Sequence, residues 1–143
     1  MKRLNNKGQS LILFIIFLPA LLGIMALVID VGNSLTKKHE TDNVIEFILN
    51  YGLENSEVFY SNNDEYYYNE ELINWKDELN ILLDYNLKTS KNELILEDKK
   101  INIKSKTYVE GIFSNILNIK GFKIESEYIG YIENNKKIIK KIK

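Results

Sequence analysis

The hydrophobic pattern divides the chain at one place. From Gly8 to Ile29 there is no charged residue, and Leu11–Ile29 reads LILFIIFLPALLGIMALVI, broken only by Pro19 and Gly23. A helix of about 20 residues rises about 30 Å, the thickness of a bilayer's hydrocarbon core. The pattern therefore predicts a single transmembrane helix over residues 11–30, behind a basic tail at 1–10. Proline removes a backbone donor and usually ends a soluble helix, but it is tolerated in a membrane helix as a kink. The alternative, two short core helices separated at Pro19, needs a larger apolar body than the remaining chain supplies.

Beyond Asp30-Val31-Gly32 the sequence is polar to Asn43, then apolar at Val44, Ile45, Ile48 and Leu49. That spacing is helical, no proline interrupts it, and Gly52 is a plausible stop. The membrane helix is thus expected to continue outward as a stalk over 31–52, its polar part crossing the headgroup zone and its apolar end docking on a body. Residues 54–71 show no sustained period and read as a loop. Glu70–Leu87 carries Leu72, Trp75, Leu79 and Leu82 at helical intervals, with Trp75 as a core residue. Glu93–Leu96 and Ile101–Tyr108 alternate across Glu97-Asp98-Lys99-Lys100, as a β-hairpin does. Val109–Ile119 places Ile112, Phe113, Ile116 and Leu117 on a helical stripe closed by Lys120-Gly121, and Phe122–Ile132 alternates again. The expected fold is α+β: the long helix, then a body at 53–143 made of an amphipathic helix and β-β-α-β with a three-stranded antiparallel sheet. Asn134–Lys143, five lysines among three isoleucines, reads as a solvated tail, with strand extension or pairing to the acidic segment as alternatives.

Charge alters this picture by its distribution. The chain has 19 basic and 20 acidic residues, which gives no argument for nucleic acid. Residues 53–98, however, hold twelve acids and three lysines, and residues 99–143 hold eleven lysines and four acids. This polarity is either a solvated surface or a basis for head-to-tail attraction between copies. Lys2, Arg3 and Lys7 precede the apolar segment and Lys37 and Lys38 follow it, a modest bias towards N-in topology with an extracytoplasmic body. The same basic residues suit a cleaved secretory signal, but the apolar stretch is long for one, and Ile24 before Ala26 makes a poor small-x-small site. Retention as an anchor in the cytoplasmic membrane is the expectation.

These residues resemble the TadE/TadG-like family of tight-adherence (Flp-type) pilus-assembly proteins, on the TadG-like N-terminal side. The resemblance rests on Lys7-Gly8-Gln9-Ser10, on Leu18-Pro19, and on Ile29-Asp30-Val31-Gly32. It covers Gly8–Gly52 well and extends more loosely to Ile101-Asn102-Ile103, Phe113, Gly121 and Ile124–Ile132. It implies a membrane-anchored, pseudopilin-like or accessory subunit acting through helix packing and protein contacts, with other pilus-assembly subunits or a second copy as partners. Gly8, Gln9, Pro19, Asp30 and Gly32 are then the assembly residues. Pilin-like members cleaved by prepilin peptidase carry Glu five residues after the cleavage glycine, where this chain has Leu13. The resemblance therefore implies an uncleaved accessory subunit. The Asp-x-Ser-x-Ser metal motif of longer members is absent.

No catalytic chemistry emerges. There is no cysteine and one histidine, His39, so no His/Cys metal set forms, and no cofactor is expected. Glu70-Glu71, Asp77-Glu78 and Glu97-Asp98 lack a nucleophile motif or a glycine-rich loop and read as solvating charges. The chain is not expected to be an enzyme. Tyr66, Tyr67 and Tyr68 form the second functional candidate, a surface contact of rigid rings with polar tips, against ordinary loop packing. Asp30, at the water end of the apolar segment, is expected to reach solvent and either to stop the segment or to pair with an assembly partner.

Overall fold

The computed structural model describes residues 6–55, 70–97, 99–114 and 118–143. Its elements are α1 (Asn6–Glu54), α2 (Glu70–Asn86), β1 (Lys91–Glu97), β2 (Lys100–Glu110), β3 (Gly121–Glu133) and β4 (Lys136–Lys141). The fold is α+β. One helix of 49 residues carries both the apolar segment and the docking surface, and Pro19 lies inside it without ending it. At 1.5 Å per residue it is about 73 Å long.

The two halves of α1 have opposite environments. Leu11 to Ile29 are exposed or half-exposed throughout, with Phe14, Ile16, Phe17 and Ile24 all above 60% exposed. From Asp30 onward a single stripe is buried: Asp30, Ser34, Thr41, Asp42, Ile45, Ile48, Leu49 and Leu53. Intervals of three and four keep these residues on one face, and that face lies on the sheet. Along the polar run over 31–43 only one face is docked: Ser34, Thr41 and Asp42 are buried there, while Asn33, Thr36, His39, Glu40 and Asn43 are exposed.

The sheet is a four-stranded antiparallel meander in the order β1-β2-β3-β4, one strand more than expected. The added strand is the lysine-rich C-terminal segment. It pairs with β3 across Asn134-Asn135, both in the left-handed region at φ 51° and 58°, from Glu133↔Lys136 to Tyr128↔Lys141. Two consecutive left-handed residues make the tight turn whose twist suits a hairpin, and asparagine tolerates that conformation better than most residues. The tail thus combines two of the alternatives, since Lys137 also pairs with Glu54 at 2.6 Å.

A second correction concerns Val109–Ile119. Val109 and Glu110 belong to β2, opposite Phe122 and Gly121, Ile112 and Phe113 are bends, and helical backbone, of the 3-10 kind, first appears at Ser114, so the helix does not begin at Val109 as the stripe suggested. Residues 115–117 lie outside the described residues. The β2–β3 ladder is longer than its neighbours: β1 joins it only up to Lys106, and β4 pairs with it only as far as Tyr128. The pairs from Thr107↔Ile124 to Glu110↔Gly121 accordingly form a two-stranded finger running beside α1 towards its apolar half.

The core is sandwiched where α1, α2 and the sheet meet. Ile45, Ile48, Leu49 and Leu53 from α1 face Trp75, Leu79, Leu83 and Leu87 around α2, and Leu94, Ile101, Ile103 and Tyr128 from the sheet. Gly52 does not stop α1, which runs on to Glu54. A Cβ there would sit 3.1 Å from Leu79 and 3.3 Å from Ile101, so its small size is used for close approach. Removing most of a buried leucine from such a site costs about 2–5 kcal/mol, whereas truncation of an exposed residue costs little. Leu49→Ala is expected to lower stability by about that amount and Phe47→Ala, on the solvent side of α1, by under ~0.5 kcal/mol. Urea unfolding of the full chain in detergent, followed through Trp75 fluorescence, measures both; equal losses would contradict the packing described.

Candidate functional site

The residue that joins the two halves of α1 is Asp30. It is 2% exposed, not solvated as its position at the end of the apolar segment suggested. Its carboxylate accepts three successive backbone N–H groups from the tip of the β2–β3 finger: Ile112 at 3.1 Å on Oδ1, Phe113 at 2.9 Å and Ser114 at 2.6 Å on Oδ2. A buried carboxylate is costly unless its lone pairs are satisfied, and bonds to the charged form are stronger than neutral ones. Consecutive amides turned to one side make an anion-binding concavity like the first turn of a helix. Here the anion is the chain's own.

The local sequence permits this geometry through Gly111. A Cβ at position 111 would collide with Ser114 Oγ, which would have to rotate away, and would sit 3.1 Å from Ser114 Cβ and 3.2 Å from Asp30 Oδ2, so glycine is what allows the tip to close on the carboxylate without a shift. The Gly111 amide donates to the Lys120 carbonyl at 3.3 Å, and the Ile119 amide to the Ser114 carbonyl at 3.0 Å, which holds the tip together. On the helix side, Ser34 Oγ donates to the Asp30 carbonyl at 2.9 Å.

Three turns further along α1 lies a second polar centre. Asp42, 6% exposed, accepts from Ser126 Oγ at 2.6 Å and from Lys141 Nζ at 2.5 Å. Lys38 Nζ donates to the Glu125 carbonyl at 2.8 Å and to Ser126 Oγ at 3.4 Å. Burial alone would raise the Asp42 carboxyl. The bonds from Lys141 and Ser126 and the charge of Lys38 outweigh it and hold the group below its ordinary value of 3.8. The hydrogen bond to Asp42 correspondingly raises the Lys141 ammonium, against a smaller opposing effect of burial.

Of the residues singled out from the sequence, only Asp30 is in this machinery. Gly8, Gln9 and Pro19 lie in the apolar half of α1, away from the body. Gly32 is exposed, and a Cβ on it would meet nothing within 4 Å, so packing within the chain does not require a glycine there. Tyr66, Tyr67 and Tyr68 lie outside the described residues. The residues missed were Asp42, Gly111, Ser114, Ser126 and Lys141. One signal was available: the inward positions of β2 run Ile101, Ile103, Ser105, Thr107, passing from apolar to hydroxyl. The buried face of α1 makes the same change from Leu53 and Ile45 to Thr41, Ser34 and Asp30.

No group of three or more His, Cys, Asp or Glu placed to hold a metal ion occurs among the described residues. His39 is exposed on α1. The outer sheet face carries ion pairs, Lys104–Glu127 at 3.1 Å and Lys143–Glu125 at 2.9 Å, which cancel part of the excess of lysine in this region. What the arrangement does is mechanical. Two buried carboxylates, about 18 Å apart along one helix, fix the sheet in register and rotation against it.

Two measurements test these contacts. Asp30→Ala leaves three tip amides without an acceptor, so exchange at Ile112–Ser114 should accelerate by about tenfold or more, with Ile101 and Ile103 unchanged. Uniform loss of protection would show instead that Asp30 supports the whole body. For Asp42, the folded-state pKa lies below the unfolded one, so its contribution is complete above the ordinary value of 3.8 and is lost as pH falls through the folded value. Urea midpoints should fall from pH 5 to pH 3 (a range of about two units), and Asp42→Asn should flatten that decline. An unchanged slope would count against the Asp42 contacts.

No protein-family model, curated protein or solved structure matches this chain.

Proposed function

We propose that the chain is a single-pass, membrane-anchored accessory subunit of a tight-adherence (Flp-type) pilus or secretion assembly, pseudopilin-like and uncleaved, acting through helix packing and protein contacts rather than catalysis. One observation carries the anchor in this reading, and the pilus assignment rests on the resemblance of the N-terminal motifs. A continuous helix leaves its first half, apolar from Leu11 to Ile29, without a covering partner among the described residues, and docks its second half on an α+β body from Asp30 onward. In water such a half-helix would expose far more contiguous apolar surface than a soluble monomer carries. A bilayer covers it, and neighbouring helices can replace lipid within it.

The N-in topology rests on the count of basic residues on the two sides of the span, Lys2, Arg3 and Lys7 before it against Lys37 and Lys38 after it.

The natural protein lacks cysteine, which makes cross-linking direct. Leu35 is 54% exposed, on the first turns of α1 outside the span. Leu35→Cys, oxidised in intact membranes at native abundance, is expected to trap a self-adduct or a partner adduct. Monomer alone, with the protein inserted at its normal level, would rule out assembly through this helix.

A further inference from the structure

The tip of the β2–β3 finger carries large apolar side chains that the fold does not cover. Ile112 is 68% exposed, Phe113 39% and Ile119 39%. Their amides or near neighbours are the groups bound to Asp30, yet their side chains turn away from the body. Most exposed apolar residues elsewhere in the body are scattered singly on α1, α2 and the outer strand faces, which needs no explanation. Here three sit on one short connection.

The position of that connection is fixed. Asp30 directly follows the apolar stretch ending at Ile29, and hydrogen bonds of 2.6–3.1 Å hold Ile112, Phe113 and Ser114 against it. The finger reaches this level because β2 and β3 continue past β1 and β4. Lys120 and Lys123, both exposed, follow the tip, and long cationic side chains can lie on apolar surface while their ammonium groups reach phosphates. The opposite end of the sheet, at the Asn134-Asn135 turn, is beside Glu54 and Lys137 and is polar.

We propose that the β2–β3 tip is a second membrane contact, with Ile112, Phe113 and Ile119 seated in the headgroup and upper acyl region of the leaflet that α1 leaves at Asp30. This rests on the anchor reading above. The tip and the span then hold the body by two points on one bilayer face. With a single span as its only membrane contact, helix and body together would be free to tilt in the bilayer, and the tip limits that freedom. Aromatic and branched aliphatic side chains are suited to this depth, where one side is apolar and the other wet.

The test uses the full chain in vesicles of phosphatidylcholine and phosphatidylglycerol, with single cysteines carrying an environment-sensitive fluorophore. Phe113→Cys and Ile119→Cys report the tip from its two sides and leave every backbone donor in place. Ile16→Cys reports the span and Asn135→Cys the far end of the sheet. The expected result is quenching of both tip probes by nitroxides carried near the headgroups, quenching of Ile16 by nitroxides at mid-chain, and none at Asn135. If Ile16 is quenched at mid-chain while both tip probes emit as in water, the anchor stands and the second contact is wrong. Blue-shifted tip emission insensitive to lipid nitroxides would place a protein neighbour there and would equally overturn it. If neither Ile16 nor the tip is quenched, the anchor and the contact fail together.

Discussion

A carboxylate removed from water must have its charge answered, and Asp30 is answered by three amides from a loop more than eighty residues away in the chain. Much of the architecture follows from that requirement. Gly111 leaves room for Ser114 and the carboxylate to close together. The β2–β3 ladder has to outrun its neighbours to bring the loop to the level of Asp30, and its register from Ile101↔Gly130 to Glu110↔Gly121 delivers it there. The body is therefore drawn down to the start of its docking helix, with no free stalk between.

Between Asp30 and Leu53 the helix–sheet interface is graded. At the far end it is a conventional apolar core of Ile48, Leu49, Leu53, Leu79 and Ile101. Towards Asp30 the same stripe is hydroxyl and carboxylate, with Asp42 bonded to Ser126 of β3, and the inward face of β2 likewise turns to hydroxyls at Ser105 and Thr107. Apolar contacts are non-directional and allow sliding, whereas the bonds at Asp30 and Asp42 work at one axial position and one rotation. Hydrophobic burial supplies the attraction and the polar end supplies the register. An apolar stripe carried on to Asp30 would also leave one helix greasy on all sides near the membrane surface, with little to decide where a bilayer should end.

The elements with strong periodicity were legible: the apolar segment, the helix at Glu70–Asn86, the hairpin and the strand after Gly121. What was not legible has specific causes. Lysines at Lys136, Lys137, Lys140 and Lys141 hid a strand, because hydropathy cannot see that Lys137 and Lys141 meet Glu54 and Asp42 across the fold. The stripe through Ile112 and Phe113 imitated a helix while its amides were committed elsewhere. Most telling is the polar run from Asn33 to Asn43. Polarity suggested solvent, yet Ser34 and Thr41 are buried with their hydroxyls returned to the Asp30 and Lys37 carbonyls of their own helix, and Asp42 is buried because Ser126 and Lys141 of the sheet satisfy it. The burial of Asp42 is predictable only with its partners, and those are far away in sequence.

The continuity of α1 has one further consequence. A helix turns by a fixed angle per residue, so the rotation set at Asp30 and Asp42 also sets which face of the apolar half lies beneath the body. Positions three, four, seven and eleven before Asp30 share its azimuth, and they are Leu27, Ala26, Gly23 and Pro19. The opposite face carries Phe14, Phe17, Leu21, Met25 and Val28. In the proposed assembly, a neighbour meeting the apolar helix on either face would receive the sheet at a defined angle. The sheet would in turn accept neighbours only where the apolar halves are compatible. Packing within the membrane and contact outside it would then be one geometric condition, which is what an assembly subunit needs.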